Sequence, residues 1–309
     1  MDPRHRDGHA DAARPRLPRL ARRRGAAGGA ARDPDDGMSE AIPLTLVGVG
    51  PQRTGSTWLD QQLRQHPALA LPNHVKETYF FDKHWDRGLA DYRSHFPADA
   101  PAWAEVGPTY FDDPDVPTRI ASVAPEVRAV IPLRDPVRRA VSLWQHHLRK
   151  GRVPADFWAA AEAEPRILTA GDYAEHVARW IDTLGADRVL VLVLEEVLDD
   201  PQAALDAITT FAGLQRIDAS DSADAPVNAA SAPRFPLLAT VAARAVTALR
   251  DARLHRLVEV GKRLGLAKVY SGGAVPDVTD ADRQRLADRF APHVAYIDDL
   301  LNRPTGWLA

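Results

Sequence analysis

The sequence predicts an α/β fold of three layers, a central parallel sheet flanked by helices, followed by a helical C-terminal third. Two observations carry this reading. Apolar runs of strand length recur without polar alternation, "IPLTLVGVG" at 42–50, "VRAVIPL" at 127–133 and "RVLVLVL" at 188–194, as expected of strands covered on both faces. Between them lie segments whose apolar residues follow the helical period, and strands separated by helices pair in parallel.

Residues 1–37 are rich in Arg, Ala, Pro and Gly and almost devoid of large apolar residues with a usable period. They read as a disordered extension, with Met38 as an alternative start and 38–309 as one domain. "RLARRRG" has the composition of a nucleic-acid or membrane-surface arm, but a floppy extension is the better reading of it. The first strand passes through a Gly-bearing loop into "TWLDQQLRQHP", a helix with Trp58, Leu59 and Leu63 at apolar positions. The second runs into "RDPVRRAVSLWQHHLRKG", where Asp135 caps, Pro136 enters the first turn and Gly151 ends the helix. The third lies between two amphipathic helices. "GDYAEHVARWIDTLG" aligns Tyr173, Val177, Trp180, Ile181 and Leu184, and "DPQAALDAITTFAGL" aligns Leu205, Ile208 and Phe211. From 234 the chain reads as helical to 266, breaks at Gly272 and Gly273, and ends in a helix carrying Leu286, Phe290, Val294, Ile297 and Leu300.

With 309 residues, 45% of them hydrophobic, the chain can bury a large core. A formal net charge of -3 gives no global reason to expect nucleic acid, so any anion site must be local. The absence of cysteine removes disulfides, thiolate catalysis and cysteine zinc sites, and makes the cytoplasm the expected compartment. No apolar run is long enough for a membrane span. His146, His147 and the other histidines lack metal-ligand spacing and read as surface or cap residues.

The first loop, "GPQRTGST", nearly fits the phosphate-loop pattern G-x-x-x-x-G-K-[ST], with Gly50 and Gly55 in place but Ser56 where the lysine belongs. The expected fold is therefore P-loop-like without the P-loop lysine. Gln52, Arg53, Thr54, Gly55, Ser56, Thr57 and Trp58 form the candidate anion cradle. There Thr54 and its neighbours offer amides and hydroxyls, and Arg53 supplies the charge. An ordinary Ser/Thr-capped turn is the plain alternative. Arg134 and Ser142, a strand-end arginine and a hydroxyl about two turns into the next helix, form a second candidate phosphate site. Alone, Arg134 and Asp135 read equally well as a local salt bridge. The third segment, "HVKETYFFDKHWDRGLADYRSHFP" at 74–97, alternates charged and aromatic residues.

Together these segments resemble the sulfotransferases that use 3'-phosphoadenosine 5'-phosphosulfate (PAPS), in particular the heparan sulfate sulfotransferase branch and its bacterial relatives. "PQRTGSTWL" resembles the family's 5'-phosphosulfate loop, and "KETYFFD" with "RGLADYRSHFP" the segment bearing the catalytic glutamate. "EVGPTYF" resembles the substrate-cleft strand and "IPLRDPVRRAVSLWQHHL" the 3'-phosphate motif. "GDYAEHVARW" and "LEEVLDDPQAALDAITTFAGL" continue the likeness in order. The resemblance implies sulfuryl transfer from PAPS to a hydroxyl or amine of a glycan, lipid or secondary-metabolite acceptor, leaving 3',5'-ADP, without a metal. It makes Glu77 the general base and puts Arg53 where the family usually has lysine beside the donor's bridging oxygen. Lys76, Tyr79 and Asp82 would line the acceptor side.

Two further departures accompany arginine at 53. Val106 replaces a lysine frequent in heparan-type relatives, which argues against a densely anionic glycan. The loop expected over the nucleotide is reduced to "LAKVYSGG", in which Lys268, Ser271 and Gly272 remain. Two other readings stand beside the resemblance. "VLVLVLEE" imitates a Walker B strand, which would make the protein an ATP- and magnesium-dependent small-molecule kinase, and a nucleotide-binding protein without catalysis is the non-enzyme reading. The missing P-loop lysine counts against the first, and the presence of Glu77 and Arg53 against the second. Oligomeric state is open.

Overall fold

Each apolar run becomes a strand whose two faces meet different layers, the last of them, Val189–Val193, only partly buried. The computed structural model describes residues 41–220, 232–233, 271–273 and 276–308. In it β1 (Leu44–Gly48), β2 (Trp103–Val106), β3 (Arg128–Leu133) and β4 (Val189–Val193) form a parallel sheet in the order β2-β1-β3-β4. The helices in chain order are α1 (Ser56–Arg64), α2 (Phe80–Lys83), α3 (Leu89–Arg93), α4 (Val116–Val123), α5 (Pro136–Arg149) and α6 (Phe157–Ala163). They continue with α7 (Arg166–Thr169), α8 (Tyr173–Leu184), α9 (Leu194–Asp199), α10 (Pro201–Ala212) and α11 (Asp280–Leu301). A short antiparallel pair, β5 (Ala232–Pro233) with β6 (Ser271–Gly273), stands apart from the sheet. Among the described residues no helix is long and apolar enough to cross a membrane.

Successive residues of one strand enter different layers. Val47, Ala129, Ile131 and Leu133 join α4, α8 and α11 through Ile120, Val177, Trp180 and Ile297. Leu46, Val130 and Ala104 face α1 and α10 through Leu59, Leu63 and Ile208. Full burial of one such side chain contributes about 1.5–3 kcal/mol, so the two faces together fix the register. A third cluster packs α5 against α6, α7 and α11 through Val141, Trp144, Phe157, Ile167 and Phe290. The buried Arg139 ties α5 to α7 by donating to the carbonyls of Arg166 and Ile167.

The predicted strands, the caps and the amphipathic faces are largely as read. Asp135 caps α5 by accepting from the amides of Val137 and Arg138. Two expectations change. The buried stripe of α11 runs through Leu286, Phe290, Val294 and Ile297, then continues in the partly buried Leu301. Leu300 is left 40% exposed, because a step of four keeps the helical period there and a step of three does not. The histidines of α5 are not surface residues, because the last turn of that helix packs inward. His147 is buried and His146 half-buried. Residues 1–37, the segment 234–266 and Lys268 lie outside the described residues.

Burial, with Lys150 and Arg53 next in importance, pushes His146 from 6.5 down to about 3. Burial and the neighbouring Arg152 push His147 down to about 4. Both imidazoles are neutral in the folded protein at pH 7. The unfolded chain protonates them as pH falls below 6.5, so the stability they contribute above that value is lost progressively toward pH 4. The melting temperature should therefore drop between pH 7 and pH 4, and His147→Gln should flatten that profile.

β1 and β3 approach unusually closely at the end of β1. The amide of Val49 donates to the Val130 carbonyl at 2.9 Å. A Cβ on Gly50 would lie 2.2 Å from the Pro132 carbonyl oxygen. Gly50→Ala should lower stability by about 1–3 kcal/mol, as overpacking does, measured by urea unfolding.

Candidate active site

The chain runs from β1 outward to β2, then returns across β1 to β3 and β4. The carboxyl ends of β1 and β3 therefore flank a topological switch point, where an open α/β sheet leaves a crevice. Two loops meet there, 49–55 after β1 and Arg134–Asp135 after β3. The first doubles back on two left-handed residues, Arg53 at φ 78° and Gly55 at φ 92°, a conformation free for glycine and costly for arginine. Gly55 then starts α1 without any side-chain cap, which leaves the first-turn amides without an intrahelical acceptor.

Arg53 donates from Nε to Ser142 Oγ at 3.0 Å, joining the first loop to α5. The charged groups that act on it are Arg149 and Arg134; burial first, then these two cations, pull its guanidinium below the usual range. Burial lowers Arg149 as well. Among the described residues no ion pair involves Arg53, Arg134 or Arg149, and the alternative of an Arg134–Asp135 bridge does not form, because Asp135 caps α5 and meets Arg138 at 3.8 Å instead. Positive charge gathered without a counter-ion around uncapped amides is a site for an anion bearing more than one phosphate-like group. That is the test PAPS must pass, and these residues fit it.

Lys76 fills the gap left by the missing loop lysine. Its Nζ lies 3.2 Å from Ser56 Oγ and 3.3 Å from Thr57 Oγ1, and 3.7 Å from Glu77 Oε1. The structure thus brings Arg53, Ser56, Thr57, Arg134, Ser142, Lys76 and Glu77 to one region. Gln52 is half-buried in the loop turn. Two loop residues turn out differently from expectation. Thr54 is buried and its hydroxyl donates to the Pro51 carbonyl at 2.6 Å, closing the turn and leaving only its amide for an anion. Trp58 packs beside the cluster under α1, with its indole nitrogen buried and without a hydrogen-bond partner among the described residues.

The segment after Glu77 is held sharply. Tyr79 has φ 54°, and Lys83 Nζ sits 4.3 Å from its ring centroid. Asp82 lines a cavity of about 280 Å³ with Lys83, Thr109, Asp112, Asp113 and Arg166. Burial pushes its carboxyl up, opposed by the neighbouring Thr109 hydroxyl, and both Asp82 Oδ1 and Thr109 Oγ1 are buried. Arg166 pairs with Asp112 across that cavity. Val106 does not face a cleft. It is buried in the cluster under α1, against the Cα of Gly48, so packing decides its identity and the argument drawn from it about anionic glycans falls. Ser271 and Gly272 lie in β6, paired with β5 in place of the expected loop.

Arg149 and the buried Glu105 escaped the sequence reading. Arg149 left a signal, since Ser142, His146 and Arg149 are spaced i, i+4, i+7 on one face of α5. The acids of the Walker-B-like run are engaged in the scaffold. Glu195 accepts from the Asp135 amide and from Trp307 Nε1, and Glu196 pairs with Arg303.

Comparison with known proteins agrees with this geometry. The family model "Sulfotransferase domain" matches residues 45–225, more than half of the chain. Human heparan sulfate glucosamine 3-O-sulfotransferase 6 is 30% identical over 186 residues, 57% of this chain and 54% of that protein. Bifunctional heparan sulfate N-deacetylase/N-sulfotransferase 1 of Caenorhabditis elegans is 27% identical over 192 residues, 57% of this chain and 22% of that protein. The chain spans about half or less of the length of the curated relatives it matches. A sulfotransferase crystal structure from Alicyclobacillus acidocaldarius shares the fold, with a TM-score of 0.61 at 20% identity over 85% of this chain and 97% of that one. The matched stretch contains both strand-end loops, α1 and α5, and the chain belongs to the PAPS-dependent sulfotransferase family.

Proposed function

We propose that the protein transfers a sulfuryl group from PAPS to a hydroxyl or amine of its acceptor, working in the cytoplasm. The observation that carries this reading is the Arg53–Ser142 hydrogen bond within the cluster of Arg53, Arg134 and Arg149. It joins the loop assigned to the 5' end directly to the helix assigned to the 3' end, as one nucleotide with phosphate at both ends requires. Arg134, Ser142 and Arg149 hold the 3'-phosphate; the α1 amides, Ser56, Thr57 and Arg53 hold the 5' end. Lys76 adds a second cation to that end.

Glu77 takes the proton from the acceptor atom as it attacks sulfur in line. The bond from sulfur to the bridging oxygen breaks, and Arg53 stabilises the negative charge left on 3',5'-ADP. Because arginine stays protonated at any working pH, it acts by charge and hydrogen bonding and the proton remains on Glu77 until solvent removes it. Nothing in these steps calls on the acids after β4, which supports this reading over the kinase. The cavity beside α2 is the acceptor side, with Asp82 on its wall and Tyr79 at the start of the helix. Its carboxylates favour polyhydroxyl or amine-bearing acceptors, with glycans foremost and lipids and secondary metabolites in the same test panel.

The donor assignment predicts that 3',5'-ADP binds without added metal and more tightly than 5'-AMP. Arg134→Ala or Arg149→Ala should weaken 3',5'-ADP by about 1.5–3 kcal/mol, roughly ten- to hundredfold, and leave 5'-AMP unchanged by calorimetry. Equal affinity of the wild type for the two nucleotides would remove the 3'-phosphate site.

The catalytic assignment predicts that Glu77→Gln lowers PAPS turnover by about 10² to 10⁴ while 3',5'-ADP affinity holds. Arg53→Lys should keep appreciable turnover and Arg53→Ala should lose most of it, read by mass gain of one sulfuryl group on the acceptor panel. Near-normal turnover by Glu77→Gln would move the base to another residue, with Asp82 tested next.

A further inference from the structure

Glu105 is fully buried in β2, opposite Val47 of β1, and no ion pair reaches it among the described residues. A carboxylate there is unfavourable unless hydrogen bonds replace its lost water. Four do so. The Thr78 amide donates to Oε1 at 3.0 Å, the Thr78 hydroxyl at 2.5 Å and the Tyr110 hydroxyl at 3.0 Å, while the Tyr92 hydroxyl donates to Oε2 at 2.9 Å. Two of these four bonds come from the residue that directly follows Glu77. Thr78 Oγ1 also accepts from the Phe80 amide at 3.1 Å, closing the backbone over the left-handed Tyr79.

Shape alone does not require this arrangement. Phe80, Phe81, Tyr92, Phe96 and Trp103 already pack ring against ring around the same spot, and an apolar residue at 105 would extend that cluster. What an apolar residue would not do is grip the amide and hydroxyl of Thr78. Glu77 itself is partly exposed, and Lys76 approaches its side chain only loosely, at 3.7 Å. Its aim therefore depends on its backbone. We infer that Glu105 is the positioning residue for Glu77, fixing the base against the donor loop through Thr78. The inference rests on the reading of Glu77 as the base.

The test compares hydroxyl deletions that each remove one donor from the same carboxylate, made in the full chain. Thr78→Val cuts the bond on the Glu77 side, Tyr92→Phe cuts the bond on the far side, and Thr78→Ser restores the first. Turnover is followed as 3',5'-ADP released from PAPS, with a glucosamine-containing disaccharide as acceptor and with water alone. Hydrogen exchange of peptides covering 76–82 is followed in the 3',5'-ADP complex. Thr78→Val should lower kcat about ten- to hundredfold, the loss typical of a misplaced catalytic group, with 3',5'-ADP affinity unchanged and exchange across 76–82 faster. Thr78→Ser should recover kcat. Tyr92→Phe should lower the melting temperature but leave kcat within about threefold and exchange across 76–82 unchanged, a difference that a shared structural role would not produce. Unchanged exchange across 76–82 in Thr78→Val overturns the inference, as does an equal loss of kcat in Thr78→Val and Tyr92→Phe. A Glu77→Gln protein with normal turnover would instead overturn the assignment of the base, with the Thr78 exchange result still reporting on the clamp.

Discussion

The close approach of β1 to β3 is the constraint from which the rest follows. Gly50 lies where any side chain would strike the Pro132 carbonyl, and Val49 is already bonded to Val130. The loop after β1 consequently folds over the start of the helix that follows β3, and Arg53 meets Ser142 across 89 residues of sequence. A wider spacing would separate the two loops that the proposed function assigns to the two ends of one nucleotide. The left-handed Arg53 is a local strain held by that same contact.

Charge around the crevice is distributed by the same geometry. The acids closest in sequence are each engaged by the scaffold: Asp135 caps α5, Glu195 holds the Asp135 amide and Trp307, and Glu196 meets Arg303. The cations are left for a ligand. Like charges this close repel one another, and burial deepens the penalty, as the lowered Arg53 shows. A dianionic or larger ligand would reverse both effects, which is why the proposed function calls for a multiply charged nucleotide here.

In the proposed mechanism the two glutamates near the donor loop divide their tasks by environment. Glu105 is sealed in the core, where burial pushes its carboxyl up and hydrogen bonds from Thr78, Tyr92 and Tyr110 pull it back. Glu77 is partly open to solvent beside Lys76, where a proton can arrive and leave. A carboxylate that must exchange protons needs access, whereas one that must hold a backbone in place needs to be dry.

The sequence by itself determined the strands, the caps and the order of the loops, because these depend on local periodicity and on residues a few positions apart. The apolar runs marked β1, β3 and β4, Asp135 and Pro136 marked the start of α5, and the near-match to a phosphate loop marked an anion cradle. Tertiary structure decided which groups reach that cradle. Lys76 stands 20 residues from Ser56 and supplies a cation that no loop pattern reveals. The Thr54 hydroxyl looked available for a ligand and closes its own turn, and Val106, read as a departure at the acceptor cleft, is core, because which face of a strand or turn is buried depends on what lies across from it. Glu105 has no legible role in the sequence, since a buried carboxylate has a meaning only when its donors, gathered from three separate places in the chain, are known.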